Sequence, residues 1–486
     1  MKQKIGKHRL KLGSQFVSSL TPFEDALNLA AMLRVELRGR RVGAYILTKG
    51  NQRDNLRFVF GFDCQGIHNT LTDEQVETIV SQLESGLKDL PAGERLTVHL
   101  SSFSSDHHRQ QDLTDLARFA PSDALKFLLT AERARVQQLT QQGLRKPKTL
   151  RLYVTYTVQS STEGAQDVIE KLISKGETLW KSFTGELQSA KNQRLQTVLT
   201  KAFTDGFLQW EQVLSNKMGL TVRPLGAEEL WHLLWQRFNA SEPIDIPQLV
   251  VLDGEGLHEE VNSDVHSTTL LTRSGVPTAG QQWVRVKDQY VAPLSFLEKP
   301  GGWANEGSQL RYLWEVLSRE TVADTEVFCQ LTRANEMLVK TTVQRMLKQS
   351  NLTASMAEDS HSVDVAAELK MKRSIEAQEE LFEGALPIHT AVVFLVHRPD
   401  LDQLDEACRY LKSCFRRPAW VEREQDYAWK VWLQTLPVVW EALMASPFKR
   451  RQLYLTGEVP GLMPLVLTQP CDARGFELIA EEGSSP

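Results

Sequence analysis

Between Val42 and Val158 the hydrophobic pattern changes period four times, and that alternation constrains the fold more than any other feature of the chain. Val42–Leu47 and Leu56–Phe60 alternate with period two, and the polar stretch Lys49–Asn55 between them predicts a hairpin turn. The period then lengthens. Thr72 followed by Gln75 has capping-box spacing, and Asp73 and Glu74 suit the positive end of a helix dipole. Val76, Ile79, Val80, Leu83, Leu87 and Leu90 fall on one helix face, and Pro91 stops it. Arg95–Leu100 is again a strand. A polar loop containing His107 and His108 is expected next, then a helix over 121–141 and a strand over Leu150–Val158. Strands interleaved with one-sided helices imply an α+β sheet domain.

Further along, residues 165–240 read as mostly helical. Trp180, Phe183, Leu187, Leu195, Val198, Leu199 and Phe203 recur at helical spacing, as do Leu230, Leu233, Leu234 and Phe238, and a helical hairpin is the economical arrangement. Short β-like runs follow at Gln248–Leu252, Thr268–Leu271, Trp283–Val286 and Tyr290–Leu294. Lys299–Gly307, with Pro300, Gly301 and Gly302, is the best boundary. Beyond it, strands are expected at Leu310–Val316 and Glu326–Leu331, long helices over 333–349 and 362–383, a buried strand over 391–396, and a helix opened by Pro399-Asp400. The resulting division is a basic tail (1–13), an N-terminal α+β subdomain (14–160), a helical hairpin with a small β-rich segment (161–298) and a second α+β subdomain (308–486). The fold class is α+β: mixed sheet subdomains with an inserted helical hairpin, long helices and no P-loop motor domain.

Composition narrows the function classes. Hydrophobic residues make up 41% and charged residues 24% of 486, which excludes wholesale disorder. Five scattered cysteines without a CxxC pair fit a reducing compartment. The longest apolar run among the strand-like segments, Ala391–Val396, is far short of the about 20 residues of a spanning helix. A cytoplasmic protein is expected. Ten Lys/Arg against three Asp/Glu leave +7 on residues 1–50, so with −5 overall the other 436 residues carry −12. A basic arm of this kind suits anionic lipid or nucleic acid, although a solvated tail is the simpler reading.

Catalytic motifs are few. No Gly-Lys-Ser/Thr loop is present; Thr48-Lys49-Gly50 runs in the wrong order. His258-Glu259-Glu260 opens like a zincin helix, but Asn262 stands where the second histidine belongs. Ser446-Pro447-Phe448-Lys449 matches Ser-x-x-Lys by letters only. Asp253 and Glu255, just after the apolar run Leu249–Leu252, are the candidate metal-dependent nuclease pair. They lack partner carboxylates other than Asp364 or the His397/Asp402 pair. Trp429, Trp432, Leu433 and Leu436 share one helix face. With Arg416, Arg417, Arg423, Lys449, Arg450 and Arg451 they make region 416–451 a second candidate, a single-strand nucleic-acid surface. A buried stripe is the expected role of these rings. The sequence assigns no catalytic, cofactor-binding or metal residue.

The C-terminal third resembles a known family. Strand Thr390–Val396 precedes a helix over Asp400–Phe415, and a Trp-containing helix ends in Leu436-Pro437. Then come the basic Pro447–Arg451, Gly461–Val466 and the ending Gly475–Gly483. This order is similar to the region ahead of the motor in TraC/TrbE/CagE-type ATPases of conjugative type IV secretion. The run from Glu326–Leu331 through two helices to 391–396 fits that family, as do Phe58–Phe62, the helix at 73–90 and strand 95–100. The chain stops at Ser484-Ser485-Pro486, where a motor would begin. The resemblance therefore implies a non-motor assembly and docking region, with the motor in a longer protein or a second chain. It further implies inner-membrane channel components as partners, homo-oligomerisation and peripheral placement at the inner membrane. Nucleic acid is a less favoured partner.

Overall fold

The computed structural model describes residues 23–49, 52–158, 186–319, 321–359, 365–445 and 449–467. The basic tail, Trp180 and Phe183, Asp364, the Ser446-Pro447-Phe448 segment, Cys471 and the ending Gly475–Gly483 lie outside the described residues.

β1 (Leu29–Leu37), β2 (Arg40–Lys49) and β3 (Gln52–Cys64) form an antiparallel meander, and the arms of the β2–β3 hairpin run further into the polar 49–55 stretch than the sequence predicts. After β4 (Ile67–His68) comes the helix Asp73–Lys88, with both bonds of the Thr72/Gln75 capping box in place. β5 (Arg95–Ser102) leads into two helices, His107–Arg118 and Asp123–Gln141, and β6 (Lys148–Val158) follows. The expected polar loop at His107 is a helix. Its apolar face is thin, with Leu113 buried, so no stripe betrays it.

A long helical run, Glu186–Lys201 continuing to Lys217 through π-helical turns, leads to β7 (Val222–Pro224), the helix Ala227–Phe238 and the hairpin β8 (Gln248–Leu252) and β9 (Leu257–Val261). β10 (Thr278–Ala279), β11 (Val284–Val286) and β12 (Gln289–Glu298) then precede the helices Glu306–Leu310 and Tyr312–Leu317. β13 (Thr325–Arg333) leads into another helical hairpin, Glu336–Asp359 and Val365–Phe382, and β14 (Pro387–Arg398) into the helix Leu401–Ser413. β15 (Trp420–Arg423), the helix Ala428–Gln434, β16 (Gln452–Leu455) and β17 (Val466–Leu467) complete the described chain.

Two expected strands are helices. Leu310–Val316 is helical because Asn305 caps it, its Oδ1 accepting from Ser308 N at 2.8 Å, and because Leu310, Leu313, Val316 and Leu317 bury one helix face. Thr268–Leu271 lies in a short helix that His266 caps.

Fifteen strands share one sheet, in the order β10-β11-β12-β14-β13-β5-β6-β3-β2-β1-β8-β9, with β7, β15 and β16 added alongside. The expected subdivision at 161–298 is corrected accordingly: β8 and β9 extend the N-terminal strands, while β10 to β12 extend the C-terminal ones. The two halves meet at β5 and β13, which pair antiparallel. Outward from that pair, β6 corresponds to β14 and β3 to β12, and each half inserts a helical hairpin between its two inner strands. The rows match as well. Phe60, Val154 and Leu96 lie side by side, as do Leu294, Phe394 and Val327, and all six are in one buried cluster. The molecule is thus an approximate two-fold repeat closed into one sheet. Because β5 and β13 run oppositely, the two helical hairpins leave from opposite ends of the central strands.

Helices cover both faces. On the first pack Leu83 and Leu87, Phe203 and Trp210, Leu313, and Leu404 and Leu411. On the second pack Phe23, Trp231, Trp235 and the 428–444 segment. Each large apolar side chain so buried contributes about 1.5–3 kcal/mol. Lys299–Gly307 is a packed link between strands of the same sheet: Trp303 meets Tyr312 edge-on at 6.2 Å and closes over Gly461.

β2 touches the start of helix Ala227–Phe238 through Gly43, whose N donates to Leu225 O at 2.8 Å; a Cβ there would sit 2.3 Å from Ala227 N. Gly43→Ala is expected to lower stability by about 1–3 kcal/mol in urea unfolding. Gly254→Ala, where a Cβ meets nothing within 4 Å, stays within about 0.5 kcal/mol.

Candidate functional site

Asp253 and Glu255 sit in the tight turn between β8 and β9. Asp253 Oδ1 accepts from Glu255 N at 2.9 Å and Gly256 N at 3.1 Å, so the carboxylate holds its own turn. His397 is on β14, seven strand positions from β8 in the sheet, or about 30 Å at the usual strand spacing. His397, one of the residues considered as a partner, is therefore not brought to Asp253, and Asp364 lies outside the described residues. His258 lies on a strand rather than a helix, and its Nδ1 is 3.7 Å from Asp253 Oδ2. Among the described residues no group of three or more His, Cys, Asp or Glu side chains could hold a metal ion.

The tryptophan stripe is interior. Trp429 and Trp432 stack at 5.3 Å, Phe23 lies 5.6 Å from Trp429, and Phe238 meets Trp432 edge-on at 6.2 Å. Leu433 and Leu436 are buried with them. Several of the nearby cations have internal duties. Arg423 pairs with Asp405, Arg450 with Glu424 at 2.7 Å, and Arg451 donates to Thr332 Oγ1 at 3.0 Å and His389 O at 3.1 Å. Arg416 and Arg417 line a separate pocket beside Arg319 and Cys414.

Among the described residues a cluster of charged and polar side chains lies elsewhere, on the second face of the sheet next to the β5–β13 seam. β5, β6 and β13 alternate strictly, with Leu96, Val98 and Leu100 facing one core and Arg95, Thr97, His99 and Ser101 facing the other way. At the lower end of this polar row the 428–444 segment seals the sheet. Arg57 and Arg95 both donate to Trp440 O, and Leu443 N donates to Gln330 Oε1 at 2.8 Å. The upper end is open as a cleft of about 870 Å3.

Glu326 is at its floor, completely buried. His99 Nε2 lies 2.7 Å from one carboxylate oxygen, His397 Nε2 is 2.8 Å from the other, and Arg237 pairs with both. Burial alone would raise this carboxyl, but the Arg237 charge and the two histidine contacts outweigh it and hold Glu326 well below the usual range. Register explains the cluster. His99 stands opposite Arg151 of β6 and Phe328 of β13, and its ring stacks on Phe328 at 4.1 Å. Arg237 comes from the last turn of helix Ala227–Phe238, where a cation suits the helix dipole. Burial pushes His99 below its ordinary value, more strongly than Glu326 raises it. The ring is thus neutral near pH 7 and serves Glu326 as a hydrogen-bond donor, with no second positive charge.

None of Glu326, His99, Arg237 or Arg151 stands out as a sequence motif. The legible signal was the polar alternation itself at 95–101, 149–157 and 326–332, since a half-buried strand carrying His, Arg and Glu inward on one face needs partners there.

Trp432→Ala is expected to cost about 3–5 kcal/mol in urea unfolding. A surface base-stacking role would instead leave stability unchanged and weaken oligonucleotide binding. The pH dependence has a definite sign. His99 takes up its proton less readily folded than unfolded, so its contribution is complete above the ordinary histidine value of 6.5 and is lost as pH falls below it. The urea midpoint should fall between pH 7 and pH 5, and His99→Gln should flatten that fall; parallel profiles would contradict the assignment. Comparison of the chain with models of known protein families and with curated proteins finds no match in either.

Proposed function

We propose that the chain is the non-motor assembly and docking region of a conjugative type IV secretion ATPase, coupling a motor domain to the channel base at the inner membrane. The resemblance described from the sequence supports this reading, and one structural observation carries it. The two inserted helical hairpins hold a disproportionate share of the exposed large apolar side chains. On the first, Phe119 is 80% and Phe127 73% exposed, with Leu116, Leu125 and Leu128 beside them; on the second, Met337 is 81% and Phe382 73% exposed, with Leu338, Met346 and Ile375 also outward. The helices of each hairpin pack on each other, so these side chains add nothing to the sheet core. Clustered apolar exposure of this kind marks surfaces for other proteins.

Placement of the hairpins at opposite ends of the central strands suits a part that is held between neighbours, with one end toward a second copy or motor and the other toward the channel. No helix among the described residues is long and apolar enough to cross a membrane, so association with the inner membrane would be peripheral and through partners.

The double substitution Phe119→Ser with Phe127→Ser tests the reading. The variant should keep its melting temperature, because neither ring is buried, and should lose at least about tenfold in co-purification with the motor chain or the inner-membrane channel components. Unchanged partner recovery and unchanged mass by light scattering would refute a docking role for the first hairpin.

A further inference from the structure

The cleft above Glu326 is lined by five cationic side chains, Arg109, Arg145, Arg151, Arg237 and Lys287, and by two carboxylates, Asp324 and Glu326. Five positive groups against two negative ones leave a surplus of three, in a chain whose net charge is −5. The carboxylates are also committed. Glu326 is enclosed by Arg237, His99 and His397, and Asp324 Oδ1 accepts from Ser104 N at 2.8 Å.

Three of the cations, Arg151, Arg237 and Lys287, line the cleft together. Arg151 and Arg237 both act electrostatically on His99 and Tyr153, and Arg237 also acts on Lys287. Among the described residues Arg151 has no carboxylate at ion-pair distance: Asp63, opposite it on β3, pairs with Arg223 at 3.7 Å. Arg237 Nη2 is buried without a hydrogen-bond partner. Like charges in a half-buried cleft repel one another, and a bound anion relieves that repulsion.

Backbone strain adds an independent observation. Lys287 has φ +56° and Asp324 φ +45°, a region where glycine or asparagine is cheaper, and both line this cleft. Lys287 occupies the two-residue turn between β11 and β12, and its Nζ donates to Gln236 O, which directs the amine toward the end of the helix that carries Arg237. A charged side chain stands where the turn alone favours a small one.

We propose that this cleft binds a small molecule bearing a phosphate group, with the phosphate seated between Arg151, Arg237 and Lys287. A dianion with several acceptor oxygens matches three cations better than a single carboxylate does. The cleft lies within the usual 300–1,000 Å3 range of small-molecule sites and is far larger than a phosphate ion, which leaves room for an organic portion against Phe103 and Leu233.

Calorimetric titration of the full chain with inorganic phosphate, AMP and adenosine tests the assignment. AMP should bind, phosphate should compete with it, and adenosine, which lacks the anion, should not bind. Arg151→Gln should weaken AMP at least about tenfold without lowering the melting temperature of the free protein, because Arg151 has no ion-pair partner to lose. Lys287→Gly should also weaken AMP while raising the melting temperature, since it removes both strain and repulsion. The proposal is overturned if neither phosphate nor AMP binds at millimolar concentration, if adenosine binds as well as AMP, or if binding is indifferent to both substitutions.

Discussion

The backbone ladder between β5 and β13 joins Ser102 to Thr325 at one end and Arg95 to Thr332 at the other, and through it the two halves of the sheet meet at their centre. Every other long-range feature leans on it. It aligns the rows around Phe60 and Leu294 into one continuous core on the first face. It sets His99 against Phe328 on the second. It also fixes the two helical hairpins at opposite ends of the central strands, because the strands that launch them run in opposite directions.

The cost of that seam falls on the second face. A sheet buried on both sides would ordinarily carry apolar residues on both, yet β5, β6 and β13 present Arg95, Thr97, His99, Arg151 and Glu326 there. Buried polar groups of this kind must be paired. The lower half of the row is satisfied by carbonyls and amides of the 428–444 segment, which also supplies Trp432 to the neighbouring core. The upper half is satisfied in part within itself, through Glu326, and in part remains open to the cleft. Structural economy and binding capacity therefore occupy two ends of one polar stripe.

The hairpins and the cleft divide two kinds of recognition. Apolar exposure on the hairpins suits contact with another protein, where burial of Phe119 or Met337 removes large surface from water. The cleft offers charge in a concave setting, which discriminates by ionic state and shape. The four cysteines among the described residues, Cys64, Cys329, Cys408 and Cys414, are buried and free, and burial pushes the Cys64 and Cys408 thiols up to about 11, so they act as small core residues.

Local elements with strong periodicity were legible in the chain itself. The capped helix Asp73–Lys88, the strands at 95–102, 148–158 and 387–398, and the buried face through Trp429 and Trp432 follow from spacing and capping, which act over a few residues. Where apolar spacing was thin or ambiguous, local rules ran out. His107–Arg118 had almost no stripe to read, and Leu310–Val316 was decided by the Asn305 cap and by packing on the sheet. Only tertiary structure joined the expected subdomains into one sheet, because the β5–β13 pairing brings together residues more than 220 positions apart. The same long-range register assembled the Glu326 cluster from four separate segments, and separated Asp253 from His397. Side-chain pattern determines which face of a strand is polar; which strand lies next to it is determined by the packing of the whole sheet.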